Sequence, residues 1–261
     1  MLSSFVPARR HGGGRALVAV CLFACSHPPP PTTAAVVAQG PPRLVAAAAP
    51  DGGDPAAPRT LRDRYGLRAP AVLSPAHTAL VLVDLQREFL DGKLALPEVG
   101  PAVARARQLL AWARAAGIHV VFVRQVAASA TAPLFAPGSP GAELVPGLEP
   151  EPGDSQITKS AAGAFSNPAL HRLLAERGIE VLIVAGLMTH LAVDSTARDG
   201  TVLGYRVMIA GDATATRSLP GPRGDGVIDH ATLQRVALAA LADRFADIAT
   251  TDELVAWPVE R

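Results

Sequence analysis

The chain has 261 residues, enough for one α/β domain with a full core. Its 24 basic and 23 acidic side chains leave a formal charge of +1, and aromatics are 4 % of the residues, so neither a basic field nor a base-stacking surface is present and no nucleic-acid partner is expected. The two cysteines, Cys21 and Cys25, both lie near the N-terminus, which excludes disulfides, thiolate zinc sites and a thiol nucleophile from residues 26–261.

Arg9, Arg10 and Arg15 precede or abut the apolar run Ala16–Ala24, the layout of a secretory signal peptide over residues 1–25. The run is too short to span a bilayer. Leu22-Phe23-Ala24-Cys25 resembles a loose lipobox, which would make Cys25 a lipidated first residue and the one expected attachment to a membrane. The chain is therefore expected to be exported, to the periplasm or the lipid-anchored bacterial envelope. A misassigned start in front of a cytoplasmic enzyme is the alternative. Residues 26–74 are rich in Pro, Ala and Gly without a hydrophobic period and read as a linker, with Leu61 to Ala71 transitional. A folded domain is expected over 75–261.

Within that domain the apolar run Ala79–Val83, closed by Asp84, predicts a buried strand. Val99 to Gly117 has apolar residues at helical spacing and a Gly stop. Further strands are expected at Ile118–Arg124, Gln156–Lys159, Glu180–Gly186, Tyr205–Asp212 and Ala246–Ala249. Helices are expected at Pro168–Gly178, Thr189–Gly204 and His230–Phe245, the last with Leu233, Val236, Ala237, Ala240, Leu241 and Phe245 on one buried face. Six mostly non-alternating apolar strands between helices are the pattern of an α/β, Rossmann-like three-layer sandwich on a six-stranded parallel sheet. Right-handed crossovers then bring all strand C-termini to one edge, where a site is expected.

Three features fall on that edge. Asp84 closes the first strand. Lys159 closes the third, and Lys93 and Lys159 are the only lysines in a chain that otherwise uses arginine, which points to a compact, tunable ammonium there. Gly186-Leu187-Met188-Thr189 turns into a helix whose first N–H groups can stabilise an oxyanion.

Together these segments resemble the isochorismatase-like (cysteine hydrolase) superfamily. Asp84-Leu85-Gln86 with Phe89 resembles its opening signature; Ile157-Thr158-Lys159 with Ala164-Phe165 resembles its lysine motif. Gly186 to Arg198, Gly204–Val207, Asp212-Ala213 and the closing helix follow in order, over roughly residues 75 to 255. The resemblance implies a catalytic Asp–Lys–Cys triad with Asp84 and Lys159 in the first two places. The cysteine position falls on Ala192, whose methyl group cannot attack a carbonyl, so a thioester route is excluded for this chain. It also implies Phe89, Gln125, Phe165, Met188, Thr189 and His190 around a small-molecule substrate, and a homo-oligomer. No cofactor and no metal are implied; Val126 to Gly153 contains no histidine.

One branch of the superfamily lacks the cysteine and hydrolyses a vinyl ether, with the aspartate as general acid. His190 and Gln125 resemble residues of that branch. A general acid needs a raised carboxyl pKa; burial of Asp84 would raise it and an adjacent Lys159 would lower it. The anionic substrate of that branch also needs a cation, for which Arg124 is the nearest strand-end candidate. Two readings follow: a thiol-free hydrolase of a small polar molecule working through Asp84 and Lys159, or a catalytically silent exported homologue that binds a small molecule or acts as a scaffold. An unrelated flavodoxin-like nucleotide binder lacks the Gly-rich phosphate loop it would need after the first strand.

Overall fold

A computed structural model of the chain describes residues 58–260. The expected leader, Cys25 and the linker up to residue 57 lie outside the described residues. No described helix is long and apolar enough to cross a membrane.

Six strands make one parallel sheet in the order β3-β2-β1-β4-β5-β8. They are β1 (Thr78–Val83), β2 (His119–Gln125), β3 (Ser155–Lys159), β4 (Val181–Leu187), β5 (Arg206–Ala215) and β8 (Ala246–Ala249). β1 and β4 are buried along their whole length, because helices cover both faces of the sheet. Leu80 and Leu82 face α2 (Val99–Ala115) and α6 (Thr251–Val255), joining Ala106, Leu109 and Leu254 in one core. Ala79, Val81 and Val83 face the other way, toward α3 (Pro168–Glu176), α4 (Asp194–Val202) and α5 (His230–Arg244), where Leu170, Leu174, Ala197 and Leu241 pack. This is the α/β three-layer arrangement expected from the sequence.

The chain leaves β1 toward β2 and β3, then crosses back to lay β4 on the other side of β1. The order therefore reverses between β1 and β4. In open parallel sheets a crevice forms outside the strand C-termini at such a reversal. Val83 pairs with Gly186 at this point, so Asp84 leaves the sheet beside Leu187, the last residue of β4.

Several expectations need correction. The linker expected over 26–74 gives way to ordered structure in its last part. Thr60 caps the short helix α1 (Leu61–Arg64), accepting from the backbone N–H of Asp63, and Arg62 pairs with Asp247. Leu73 is fully buried and bridges to Val259, and Trp257 Nε1 donates to Pro70 O at 2.9 Å. The single helix expected over Thr189–Gly204 is divided into a π-helical turn, Thr189–Val193, and α4. On α5, Ala237 and Leu241 are buried as expected, but Val236, at 55 %, and Ala240 are exposed. A two-stranded hairpin of β6 (Leu219–Pro220) and β7 (Val227–Ile228), unread in the sequence, precedes α5.

Candidate active site

Asp84 sits one residue past β1 in the left-handed backbone region, φ 52°. Its N–H donates to Val123 O of β2 at 2.8 Å and its own carbonyl accepts from Gln86 N at 2.8 Å, which turns the chain sharply at the sheet edge. The residue is 3 % exposed. Lys159, the last residue of β3, is equally buried and donates from Nζ to Asp84 Oδ2 at 2.6 Å. The same ammonium donates to Gln125 Oε1 at 2.9 Å and to Ala161 O at 3.1 Å. Asp84 Oδ1 is buried and has no hydrogen-bond partner.

Gln86 makes this arrangement rigid. Fully buried, it accepts from Gln125 N at 2.8 Å through Oε1 and donates through Nε2 to Gln125 O at 2.8 Å and Ala142 O at 2.9 Å. A side chain thus closes the end of β2 as a neighbouring strand would. It fixes Gln125, which in turn fixes Lys159.

Burial pushes the Asp84 carboxyl up from 3.8 to about 7, although the charge and hydrogen bond of Lys159 pull it down. Desolvation of the carboxylate therefore outweighs its counter-ion. A carboxyl with this midpoint can give up or take a proton at neutral pH.

The π-helical turn supplies the facing wall. β4 ends at Leu187, the Leu187–Met188 peptide bond is cis, and the turn carries Ala192 into the same cavity as Asp84 and Lys159. Thr196 locks the turn: its hydroxyl donates to Ala192 O at 2.6 Å and accepts from Ala164 N at 3.0 Å, tying α4 to the segment after Lys159. The cavity measures about 260 Å³. Its polar lining is Asp84, Gln125, Lys159 and Ser160; its walls are apolar, among them Phe89, Leu94, Leu134, Phe135 and Met188. Among the described residues no group of three or more His, Cys, Asp or Glu side chains is placed to hold a metal ion.

The Isochorismatase domain family matches residues 78–253, which include every segment just described. The chain belongs to the isochorismatase family. It is similar to the secreted isochorismatase effector Isc1 of Verticillium dahliae, 33 % identical across 71 % of this chain and 94 % of that protein. It is also similar to the ureidoacrylate amidohydrolase RutB of Pseudomonas syringae pv. syringae, 32 % identical across 61 % of this chain and 75 % of that one. A crystal structure of an isochorismatase from Pseudomonas putida KT2440 superposes with a TM-score of 0.70 at 36 % identity, covering 76 % of this chain and 99 % of the other. These relatives are hydrolases by name.

Of the isochorismatase-family positions read from the sequence, Asp84, Lys159 and Ala192 meet in one cavity, with Phe89, Gln125 and Met188 in its lining. Three others lie elsewhere. Phe165 stacks on Tyr205 with ring centroids 5.7 Å apart, in the core beneath α3 and α4. Thr189 is fully buried and donates to Gln234 Oε1 of α5 at 2.6 Å. His190 Nδ1 bonds the Thr216 hydroxyl, and burial lowers its pKa. Thr189 and His190 thus brace the turn from outside the cavity. Arg124, the strand-end cation, does not line it either, and lies 3.8 Å from Glu143. Sequence reading missed Leu94, Leu134 and Phe135, which reach the cavity from segments without regular period. The one available signal was the apolar pair Leu134-Phe135 inside a long Pro- and Ala-rich loop.

Proposed function

We propose that the protein is an isochorismatase-family hydrolase that works by acid catalysis from Asp84, without a covalent intermediate. The observation that carries this reading is the state of Asp84: deeply buried, held by Lys159 through Oδ2, free at Oδ1, and raised to about 7. No lining side chain is a cysteine, and Ala192 occupies the position where the resemblance puts the nucleophile. The chemistry left to such a site attacks a bond that protonation alone makes labile.

An enol (vinyl) ether is such a bond. Asp84 transfers its proton to the terminal enol carbon, and the ether oxygen donates its electrons to form an oxocarbenium ion. Water adds to that ion and its surplus proton returns to the Asp84 carboxylate. The resulting hemiketal or hemiacetal breaks down to an alcohol and a carbonyl compound. Lys159 keeps the Asp84 side chain in one orientation through the cycle and stabilises the transient carboxylate. The test is alcohol and carbonyl release from a panel of enol ethers, isochorismate and phenyl vinyl ether included. Because the protonated carboxyl is the reactive form, kcat/KM should be level at low pH and fall about tenfold per pH unit above about 7. No acceleration over buffer with any enol ether sinks the reading.

The absence of a thiol from the cavity favours one second reading, a domain that binds a small molecule without turnover. Ala192→Cys separates the two states of the pocket. In a cavity still arranged for hydrolysis the new thiol, sharing that cavity with Lys159, should be acylated by p-nitrophenyl acetate with a stoichiometric burst of nitrophenol. A thiol that stays unacylated supports the binding-only reading.

A further inference from the structure

Lys159 is the one cationic side chain that lines the Asp84 cavity among the described residues, and its hydrogen-bonding capacity is already spent. An ammonium has three donors and no acceptor. Here they go to Asp84 Oδ2 at 2.6 Å, Gln125 Oε1 at 2.9 Å and Ala161 O at 3.1 Å. A ligand anion would find no uncommitted N–H on this side chain. Arg124 at the end of β2 offers none, since it lies toward Glu143 outside the lining.

The anion would also enter beside the carboxyl of Asp84 and between apolar walls. Phe89 and Phe135 face each other with centroids 5.3 Å apart, and Leu94, Leu134 and Met188 extend the surface. The Ser160 hydroxyl and the Gln125 amide can donate there but carry no charge. An anion moved from water into such surroundings without a counter-ion meets a penalty of several kcal/mol. The same walls favour an apolar body. At about 260 Å³ the cavity exceeds the roughly 150 Å³ that accepts benzene in an apolar protein interior. One substituted ring fits that space. Besides the carboxyl of Asp84, the Gln125 side-chain amide and the Ser160 hydroxyl are the uncharged hydrogen-bonding groups of the lining.

We infer that the cavity takes an uncharged ligand of single-ring size, with an apolar body and one hydrogen-bonding group, and that it turns carboxylates away. The family name suggests a dianionic substrate; the lining residues contradict that for this chain. The inference rests on the Asp84 cavity being the active site, but not on turnover.

Benzamide and benzoate differ in charge and little in shape. Titrating each into the full chain at pH about 8 and following ligand-detected NMR, with heat of binding as a second readout, compares them directly. Benzamide should bind at least tenfold more tightly. Leu134→Arg, which adds a cation to the wall from a loop and leaves the sheet untouched, should narrow or reverse that ratio. Ala192→Phe, which fills the cavity, should abolish benzamide binding. Equal affinity, tighter binding of benzoate, no binding of benzamide at millimolar concentration, or a ratio unmoved by Leu134→Arg overturns the inference. Failure of enol-ether turnover with the benzamide preference intact would sink the hydrolytic reading alone. Benzoate preference with turnover intact would sink the substrate class alone.

Discussion

Asp84→Asn should lower enol-ether turnover by about 10²- to 10⁴-fold, the range expected when a positioned general acid is removed. Asn has the shape of Asp and keeps an oxygen that can accept from Lys159 Nζ, so the comparison isolates the proton. Stability should respond in a recognisable way. The folded carboxyl is raised above its unfolded value of 3.8, so between 3.8 and about 7 the native state holds a proton that the unfolded chain has released. The stability owed to this group is then full below 3.8, declines as pH rises to about 7, and is level above. Urea unfolding of the wild type should show that decline relative to Asp84→Asn, in which the group cannot titrate. Exposed carboxylates such as Asp91 and Glu253, lowered by hydrogen bonds, act only near and below their ordinary range and cancel in the difference. An unchanged kcat in the variant would remove Asp84 from the reaction.

Gly186→Ala should be the most damaging glycine-to-alanine change among the described residues. Gly186 lies in β4 with φ 141°, a region that side-chain-bearing residues avoid. A Cβ there would sit 2.0 Å from Val83 O and 2.8 Å from Val83 C, both backbone atoms of the central strand β1. Neither the conformation nor the space can be recovered without parting β1 from β4. Strain of about 1–3 kcal/mol for the backbone and about 1–3 kcal/mol for overpacking puts the loss at roughly 2–6 kcal/mol. That is a large share of the roughly 5–15 kcal/mol that holds a domain together. Asp84 follows Val83 directly, so what survives folding should also lose its Asp84–Lys159 contact. The midpoint of urea denaturation measures the first effect. A loss below about 1 kcal/mol would show that the two strands are not packed this closely.

Much of the sheet was legible because its strands are buried on both faces. Ala79–Val83 and Val181–Gly186 read as unbroken apolar runs; β1 ends with its run, and β4 extends one residue further, to Leu187. Asp84 and Lys159 were legible because each follows or closes such a run on the edge where parallel strands all finish. The limits have equally physical causes. The order around Leu73 depends on Pro258 and Val259, far along the chain, so local composition read it as linker. The π-helical turn adds a residue to a turn of α-helix and rotates what it carries. The resemblance implied Thr189 and His190 beside the substrate, whereas the fold aims them at Gln234 and Thr216. Val236 lies on a helix with apolar residues all round, and sequence alone does not say which of its faces meets the sheet. Leu94, Leu134 and Phe135 become a wall only once their loops have folded over Phe89.

Acid catalysis by this site requires a proton on Asp84 at neutral pH. Carbon-13 NMR of selectively labelled aspartate, with the Asp84 signal assigned by its loss in Asp84→Asn, reads that state without a substrate. A carboxyl resonance that titrates with a midpoint near 7 is the expected result. A midpoint near 3.8, or a signal ionised across the neutral range, would mean that Lys159 prevails over burial and that Asp84 has no proton to give.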